Sequence, residues 1–320
     1  MDYYRPIWFP QRKRKTLCRW AHENDKLARA VLDTRFSSPA AGLERFVRFY
    51  VQREVSIRGT PVIHPVPARA APMMEFDFGD PVDVLSIDKG LLFKSPSIVV
   101  MGPYTHRTVD LHLQGTLKSF VVMFQPDGLQ RLFGLPMPEM TDRSYDARSV
   151  LGCSISRAWQ ILGDLESFGE RVRLMNELLL RQSLRAPAAD GISDAANRMI
   201  RTGGRVDMPT LAGKAGFSTR HFARKFIQQV GVRPKLFARI ARFEAALENK
   251  ARFATKSWTH IAHEFGYYDQ MHMVHEFGDF TGGAPNEILT QLAGVFTEPI
   301  RQMRLGAAAT NVAHRPRLIL

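Results

Sequence analysis

The amino-acid sequence predicts an α+β protein, in which a β-rich N-terminal barrel or sandwich with helices precedes an all-α domain. Three observations support this prediction. Short runs rich in β-branched and aromatic residues, broken by Gly and Pro, fill residues 61–124. From about residue 151 onward, apolar residues recur at i, i+3 and i+4, the spacing of amphipathic helices. One helical motif occurs twice in the C-terminal half, and its copies lie 50 residues apart.

Length and composition set the first limits. The 320 residues suit two domains, and an apolar fraction of 45% is enough to bury a core, which excludes a wholly disordered chain. Two cysteines, Cys18 and Cys153, cannot form a disulfide framework or a four-thiolate zinc site. We therefore expect the protein to be located in the reducing cytoplasm. No apolar run approaches the roughly 18–20 residues of a membrane helix. Residues 1–20 lack the apolar stretch of a secretory signal.

The formal net charge of +13 suggests a polyanionic partner, and this charge is unevenly distributed. Residues 1–35 carry nine Lys and Arg against four Asp and Glu, and we interpret them as a basic arm. Residues 36–190 are neutral, with 17 of each. Residues 191–293 carry 14 against nine, and residues 294–320, expected to form a loose tail, carry four against one. This asymmetry marks a domain boundary.

Pro187 and Gly191 place that boundary near residues 185–192, because Pro disfavours continued helix before it. The sequence therefore predicts a β-rich sensor or association domain over residues 36–186 and a helical domain over residues 191–293. Within the first domain, the helical pattern from 151 to 184 has two interpretations. It is either a surface for association and interdomain contact, or part of the domain's own core.

The repeat carries the functional information. Its first copy reads Leu-Ala-x-x-Ala-Gly-Phe-Ser from Leu211, then Phe226 and Gly-x-x-Pro ending at Pro234. Its second copy reads Ile-Ala-x-x-Phe-Gly-Tyr-Tyr from Ile261, then Phe277 and Gly-x-x-Pro ending at Pro285. Each copy predicts a helix, a tight turn at glycine and a second helix, which is a helix-turn-helix unit. The residues from Pro234 to about 250 predict one longer helix that joins the two units.

The helix after the first turn has the side chains that a DNA major groove can accept. Ser218 is suited to cap its amino terminus, and Phe222 and Phe226 form its core face. The other faces of this helix carry the polar residues Arg220, His221, Arg224 and Lys225. Such side chains can reach base edges and phosphates.

This double motif resembles the AraC/XylS family of bacterial transcription regulators over residues 192–292. The resemblance implies a seven-helix DNA-binding domain. It also implies base- and phosphate-facing residues in the first unit at Ser218, Thr219, Arg220, Ala223 and Arg224. In the second unit the corresponding residues are Tyr268, Asp269, Gln270, His272 and His275.

The chain departs from the family pattern in the second unit. Many relatives carry a basic residue where this chain has His275, and residues 269–280 contain no Lys or Arg. In the first unit, Ala223 is too short to read a polar base edge. We therefore assign most of the phosphate and base contacts to the first unit.

The N-terminal half resembles an uncharacterised sensor-type domain that precedes such DNA-binding domains. The matching segments are residues 43–50, the strands around Tyr104, and residues 123–134. The resemblance implies a small β-barrel, closed by a Phe-x-Pro-x-Gly segment, on which a helix that includes Leu129 and Leu132 packs. It fixes no ligand.

Two alternatives stay open from the residues alone. The pairs His260/His263 and His272/His275 each lie at i, i+3, but no carboxylate or Cys completes a metal shell at a familiar spacing. His106, His112, Glu75 and Asp110 could form a cupin-like metal site, although the close His-x-His pair is missing. The alternative function is thus a β-barrel enzyme or metal-binding protein with a DNA-tethering domain.

The sequence favours a sequence-specific DNA-binding regulator that is not an enzyme and has no metal or cofactor. Its expected partner is double-stranded operator DNA. Further expected partners are a small-molecule effector on the N-terminal domain, RNA polymerase and a second copy of the chain. We do not expect the protein to bind a membrane. The expected location is the cytoplasm, at the nucleoid. A third interpretation is an architectural DNA binder without a ligand.

Overall fold

The computed structural model of the protein describes residues 31–293. The basic arm, for nearly all its length, and the C-terminal tail expected from the sequence lie outside the described residues. Within the arm, the structure describes residues 31–35, which belong to the first strand, beginning at Val31.

The predicted β-rich domain is confirmed, and its eight strands belong to one antiparallel sheet. The strands are β1 (Val31–Ser37), β2 (Val47–Val66), β3 (Met73–Asp77), β4 (Asp83–Ser86), β5 (Leu91–Lys94), β6 (Ile98–Met101), β7 (Val109–Phe124) and β8 (Ser144–Asp146). Their order is β1-β2-β7-β3-β6-β8, and the β4–β5 hairpin pairs with the first part of β7. The 20-residue β2 and the 16-residue β7 run side by side and form the centre of the sheet.

Alternation of apolar side chains builds the core of this domain. Tyr50, Phe76 and Phe120 are fully buried on one face of the sheet, where the rings of Tyr50 and Phe120 stack with centroids 5.7 Å apart. A register shift between Ile57 and Val62 interrupts the pairing of β2 with β7. Such an irregularity bends a long strand, so it lets β2 curve around the apolar interior.

Five helices complete this part of the chain, and two of them precede β8 while three follow it. They are α1 (Gly128–Phe133), α2 (Met137–Met140), α3 (Ala147–Leu151), α4 (Ser154–Asp164) and α5 (Phe168–Ser183). As the resemblance implied, Leu129 and Leu132 pack α1 onto the core of the sheet.

The helical pattern from 151 to 184 forms α4 and α5, which cover one face of the sheet. Leu162, Val172 and Met175 lie in the same buried cluster as the strand residues. The helices are therefore part of the domain's own core. Ser167 and Glu170 form a reciprocal capping box that starts α5.

The all-α domain has the seven helices that the resemblance implied. They are α6 (Gly191–Arg201), α7 (Met208–Lys214), α8 (Thr219–Val230), α9 (Pro234–Arg252), α10 (Trp258–Glu264), α11 (Gln270–Thr281) and α12 (Pro285–Ala293). The predicted joining helix is α9, whose 19 residues give a length of about 28 Å. Its residues Phe237, Ile240 and Phe243 are fully buried between the two flanking units.

The two domains share buried contacts. The loop between β2 and β3 inserts Ala68 and Ala70 into the core of the helical domain. The N–H of Ala68 donates to the carbonyl of Phe280 at 2.9 Å, and the N–H of Ala70 donates to the carboxylate of Glu244 at 3.1 Å. The N-terminal domain is thereby fixed to α9 and α11.

Candidate nucleic-acid interface

The first helix-turn-helix unit consists of α7, a four-residue turn and α8. Leu211 and Ala212 bury one face of α7, and Phe222 and Phe226 bury one face of α8. Gly216 in the turn has φ +80°, and Gly266 in the equivalent turn of the second unit has φ +72°. Residues with a Cβ rarely adopt this conformation, so the two turns depend on the repeated glycine.

Ser218 caps α8 as the sequence predicted, and its hydroxyl accepts a hydrogen bond from the N–H of His221. Thr219, Arg220 and Arg224 are exposed beyond this cap. Neither arginine has an ion-pair partner among the residues that the structure describes. Both guanidinium groups are therefore available to an anionic partner.

Three other expected contact residues of the first unit are less exposed. Ala223 and Lys225 are half-buried on the flanks of α8. The ring of His221 stacks flat on Phe217, with centroids 5.0 Å apart, and its Nε2 is buried. His221 therefore contributes to the packing of the turn.

The second unit repeats this arrangement in α10 and α11. Asp269 caps α11, since its carboxylate accepts a hydrogen bond from the N–H of His272 at 2.7 Å. Tyr268, Gln270 and His275 are exposed. The imidazole of His272 is held by the turn that precedes α11, because its Nδ1 accepts a hydrogen bond from the N–H of Tyr268 at 3.3 Å.

Glu276 directly follows the exposed His275, yet it does not face outward. Only 2% of the residue is exposed, and its carboxylate lies 2.8 Å from Nη2 of Arg242 and 3.0 Å from Nε of Arg239. Both arginines belong to α9. Because they neutralise Glu276 and bind α11 to α9, this carboxylate presents no negative charge to an approaching phosphate.

The helical domain is also anchored to the N-terminal domain through the end of α8 and through α6. The hydroxyl of Thr141, which follows α2, donates to the carbonyl of Gly231 at the end of α8 at 3.0 Å. Ser193 in α6 donates to the fully buried carboxylate of Asp127, which precedes α1. Burial raises the pKa of Asp127, while Ser193 and Arg131 counteract this effect.

A cavity of about 140 Å³ lies between the curved strands of the N-terminal domain. Val55, Val84, Leu111 and Leu113 line its apolar side. Leu292 of α12 also lines it and at the same time belongs to the core of the helical domain. One side chain of the helical domain is thus in direct contact with the space inside the N-terminal domain.

Charged groups line the other side of the cavity. Nη1 of Arg53 lies 3.9 Å from a carboxylate oxygen of Glu75. Burial, reinforced by Glu75, raises the pKa of Asp77 well above its usual range. Burial, reinforced by Arg53, lowers the pKa of His64 to about 3, so this imidazole is neutral at physiological pH.

Arg69, the remaining arginine at the cavity, has a structural role. Its guanidinium donates to the carbonyl of Ala71 at 2.8 Å and to the sulfur of Met73 at 3.1 Å, and it lies 5.5 Å from the ring centre of Tyr104. It therefore stabilises the loop that enters the helical domain.

The structure does not assemble the cupin-like set. Asp110 binds Arg107 through both carboxylate oxygens at 2.7 Å, and Glu75 faces Arg53. Within residues 31–293, no three His, Cys, Asp or Glu side chains are grouped as metal ligands would be. No helix in the described part of the chain has the length and apolarity needed to span a membrane.

Comparisons with known families agree with the two halves of the structure. Residues 211–291 match the family model "Helix-turn-helix domain", and residues 35–146 match "Domain of unknown function (DUF6597)". The chain carries an AraC-type helix-turn-helix domain behind an N-terminal domain of unknown function. It is a DNA-binding transcription regulator of the AraC type.

Solved structures of regulators are similar to this chain at low sequence identity. ToxT from Vibrio cholerae O395 is 10% identical, with 82% of this chain and 99% of that chain covered and a TM-score of 0.44. ToxT from Vibrio cholerae strain SCE256 with an unsaturated fatty acid bound is 9% identical, with 81% and 99% covered and a TM-score of 0.45. The AraC-like transcriptional activator CuxR is 9% identical, with 87% and 86% covered and a TM-score of 0.20. A comparison with curated proteins finds no matching sequence.

Proposed function

We propose that this regulator binds operator DNA chiefly through the outward face of α8, and that a small molecule in the N-terminal cavity modulates this binding. The observation that supports the DNA contact is the pair of exposed guanidinium groups of Arg220 and Arg224, beside the capped amino terminus of α8. Arginine is suited to contacts with the backbone and with bases, because its planar donors bind phosphate and the O6/N7 edge of guanine.

The proposed contacts in the first unit are Ser218, Thr219, Arg220, His221, Ala223, Arg224 and Lys225. Those in the second unit are Tyr268, Asp269, Gln270, His272 and His275. The capping geometry limits Ser218 and Asp269 to contacts at the helix amino termini. We also propose that the protein acts by binding without catalysing a reaction, in the bacterial cytoplasm at the nucleoid, with RNA polymerase and a second copy as partners.

Replacement of Arg224 by Ala tests the DNA contact. DNA selected from a genomic library by the full chain is the probe, and its affinity is measured over a salt series. If Arg224 reads a base, we expect the affinity to fall by about 5- to 150-fold, by an amount that depends on the DNA sequence. If Arg224 binds phosphate, we expect the slope of log affinity against log salt concentration to be smaller by about 1.

Arg173→Ala is the matched control. Arg173 is exposed on α5 in the N-terminal domain, so its replacement removes the same charge away from α8. We expect this variant to bind like the unmodified chain. An Arg224→Ala variant with unchanged affinity and unchanged salt slope would refute the placement of α8 on DNA.

The cavity supports the proposal of a small-molecule effector. It has an apolar side and a charged side, which suits a ligand with an apolar body and a polar group. Such a ligand would touch Leu292 of α12. A ligand that displaces Leu292 would change the packing of the helical domain and thus its affinity for DNA, with a coupling of about 1–3 kcal/mol.

A thermal-shift screen of the full chain tests the effector. One probe is an unsaturated fatty acid, because a ToxT structure holds one; others are small apolar molecules with uncharged or zwitterionic polar groups. We expect at least one probe to raise the melting temperature and to change DNA affinity. Leu113→Trp fills the cavity and should abolish both effects. A probe that stabilises this variant equally binds elsewhere, and a screen without any stabilising probe favours a ligandless architectural protein.

A further inference from the structure

The outward face of α11 differs chemically from that of α8. Where α8 presents Arg220 and Arg224, the amino-terminal end of α11 presents Tyr268 and Met271. Tyr268 is 91% exposed and Met271 is 59% exposed. Neither side chain belongs to a buried cluster of the described structure, although the adjacent Tyr267 and Met273 do. These two apolar side chains therefore have no role in holding the helical domain together.

The polar groups around them are largely committed to the fold. The carboxylate of Asp269 caps the helix, and the imidazole of His272 accepts a backbone hydrogen bond and packs edge-on against Tyr267. Oε1 of Gln270 lies 2.6 Å from the hydroxyl of Thr259, which leaves the amide NH2 as the outward group of Gln270. Glu276 is buried against α9. At the start of α11, the tyrosine ring of Tyr268 and the side chain of Met271 consequently offer a largely apolar surface to a partner.

Major-groove edges of DNA expose donors and acceptors at every base pair, but one base carries an apolar group, the C5 methyl of thymine. We propose that Tyr268 and Met271 are specificity-determining residues that read thymine methyl groups in the half of the operator bound by the second unit. This inference rests on the proposed function, because it takes α11 as a recognition helix. It names the base that this helix selects and adds Met271 to its contact residues.

The spacing of the two residues fits this role. Tyr268 precedes the cap and Met271 lies in the first turn, and recognition helices contact base edges with their amino-terminal residues. His275 lies four positions after Met271 on the same exposed side of the helix. The apolar surface thus meets the bases first, and the imidazole lies one turn further along the helix.

Replacement of thymidine by deoxyuridine tests the inference, since it removes the methyl group and leaves base pairing intact. Duplexes selected by the full chain from a random library are resynthesised with deoxyuridine in one half at a time. Burial of one methyl-sized group corresponds to roughly fourfold in affinity. We expect the full chain to lose about fourfold per contacted methyl in one half of the site.

The variants Met271→Ala and Tyr268→Ala identify the reader. Each should bind the thymidine duplex more weakly and lose its sensitivity to deoxyuridine, whereas Met271→Leu should keep both properties of the unmodified chain. Arg224→Ala should weaken binding to both duplexes by the same factor and stay sensitive to deoxyuridine. Leu92→Ala, at an exposed apolar residue of the N-terminal domain, should behave like the unmodified chain.

The possible failures are distinct. If the full chain binds no selected duplex above background, the proposed function fails, and this inference fails with it. If the chain binds but deoxyuridine has no effect in either half, or the selected sites lack thymine there, the methyl reading is wrong and DNA binding stands. If Met271→Ala and Tyr268→Ala both keep the full sensitivity, other residues read the methyl groups.

Discussion

Replacement of Arg242 by Met should strongly destabilise the second helix-turn-helix unit. Nε and Nη2 of Arg242 make three contacts of 2.8–3.3 Å with the carboxylate of Glu276, and its guanidinium lies 4.5 Å from the ring centre of Tyr267. Methionine retains much of the apolar stem but none of these donors. In the variant, Glu276, whose side chain is 1% exposed, would keep Arg239 as its one close arginine.

The magnitude follows from the burial of that carboxylate. Breaking a buried ion pair costs about 3–5 kcal/mol, because one charge stays buried without its partner. Here Arg239 still donates to Glu276 at 3.0 Å, and its side chain is 42% exposed, so its contribution is screened by water. We therefore expect the free energy of unfolding to fall by about 3 kcal/mol.

Urea unfolding of the full chain, followed by tryptophan fluorescence, measures this loss. Trp258 is a suitable reporter because its ring packs edge-on against Phe277 of α11, with centroids 5.4 Å apart. Arg233→Met is the control, since Arg233 is exposed at the start of α9, and it should change the free energy of unfolding by less than about 0.5 kcal/mol. A loss below about 1 kcal/mol for Arg242→Met would refute the view that this ion pair fixes α11 to α9.

Three further predictions concern the N-terminal domain and its contact with α8. The pKa of His64 is lowered to about 3, below the unfolded value of 6.5, so its contribution to stability is complete above pH 6.5 and is lost as pH falls towards 3. The free energy of unfolding of the unmodified chain should fall between pH 8 and pH 5. In His64→Gln this decrease should be smaller by about 2 kcal/mol in urea titrations. An unchanged decrease would contradict this assignment. Gly231→Ala should lower the melting temperature more than Gly216→Ala. Both glycines have positive φ, but only a Cβ at 231 would approach the hydroxyl of Thr141, to 2.6 Å, and the carbonyl of Met137, to 2.7 Å. Equal decreases in melting temperature would mean that α8 can move away from α2. Arg171→Met should lower the free energy of unfolding by about 3 kcal/mol, because it leaves Gln52, the carbonyl of Leu162 in the last turn of α4 and the carbonyl of Leu165 just after α4 without their donor. An unchanged free energy of unfolding in urea would show that water replaces the guanidinium.

Much of the helical domain could be predicted from local signals. The repeated Gly at the turns, Ser218 at the cap and the apolar residues of α9 act on neighbours within a few positions of the chain, so short stretches of sequence specify them. The same holds for the strands at residues 82–87, 97–101 and 117–124, where branched and aromatic residues alternate. The long strand β2 was not evident, because polar residues and a register shift interrupt its pattern.

Contacts between residues far apart in the chain become evident only in the folded protein. Ala70 and Glu244 are 174 positions apart, and no local pattern marks the loop that carries Ala70 as part of the helical core. The cavity likewise exists because strands from residues 53–119 curve around it while Leu292 closes one side.

The second recognition helix shows the division most clearly. The sequence alone predicts that α11 exists, where it begins, and that it carries no Lys or Arg. Which of its side chains face outward depended on α9, because Arg239 and Arg242 draw Glu276 inward and thereby set the rotation of the helix. Periodicity specifies that a helix has a buried face, but the partners of that face are supplied by another part of the chain. Tyr268 and Met271 are exposed for this reason.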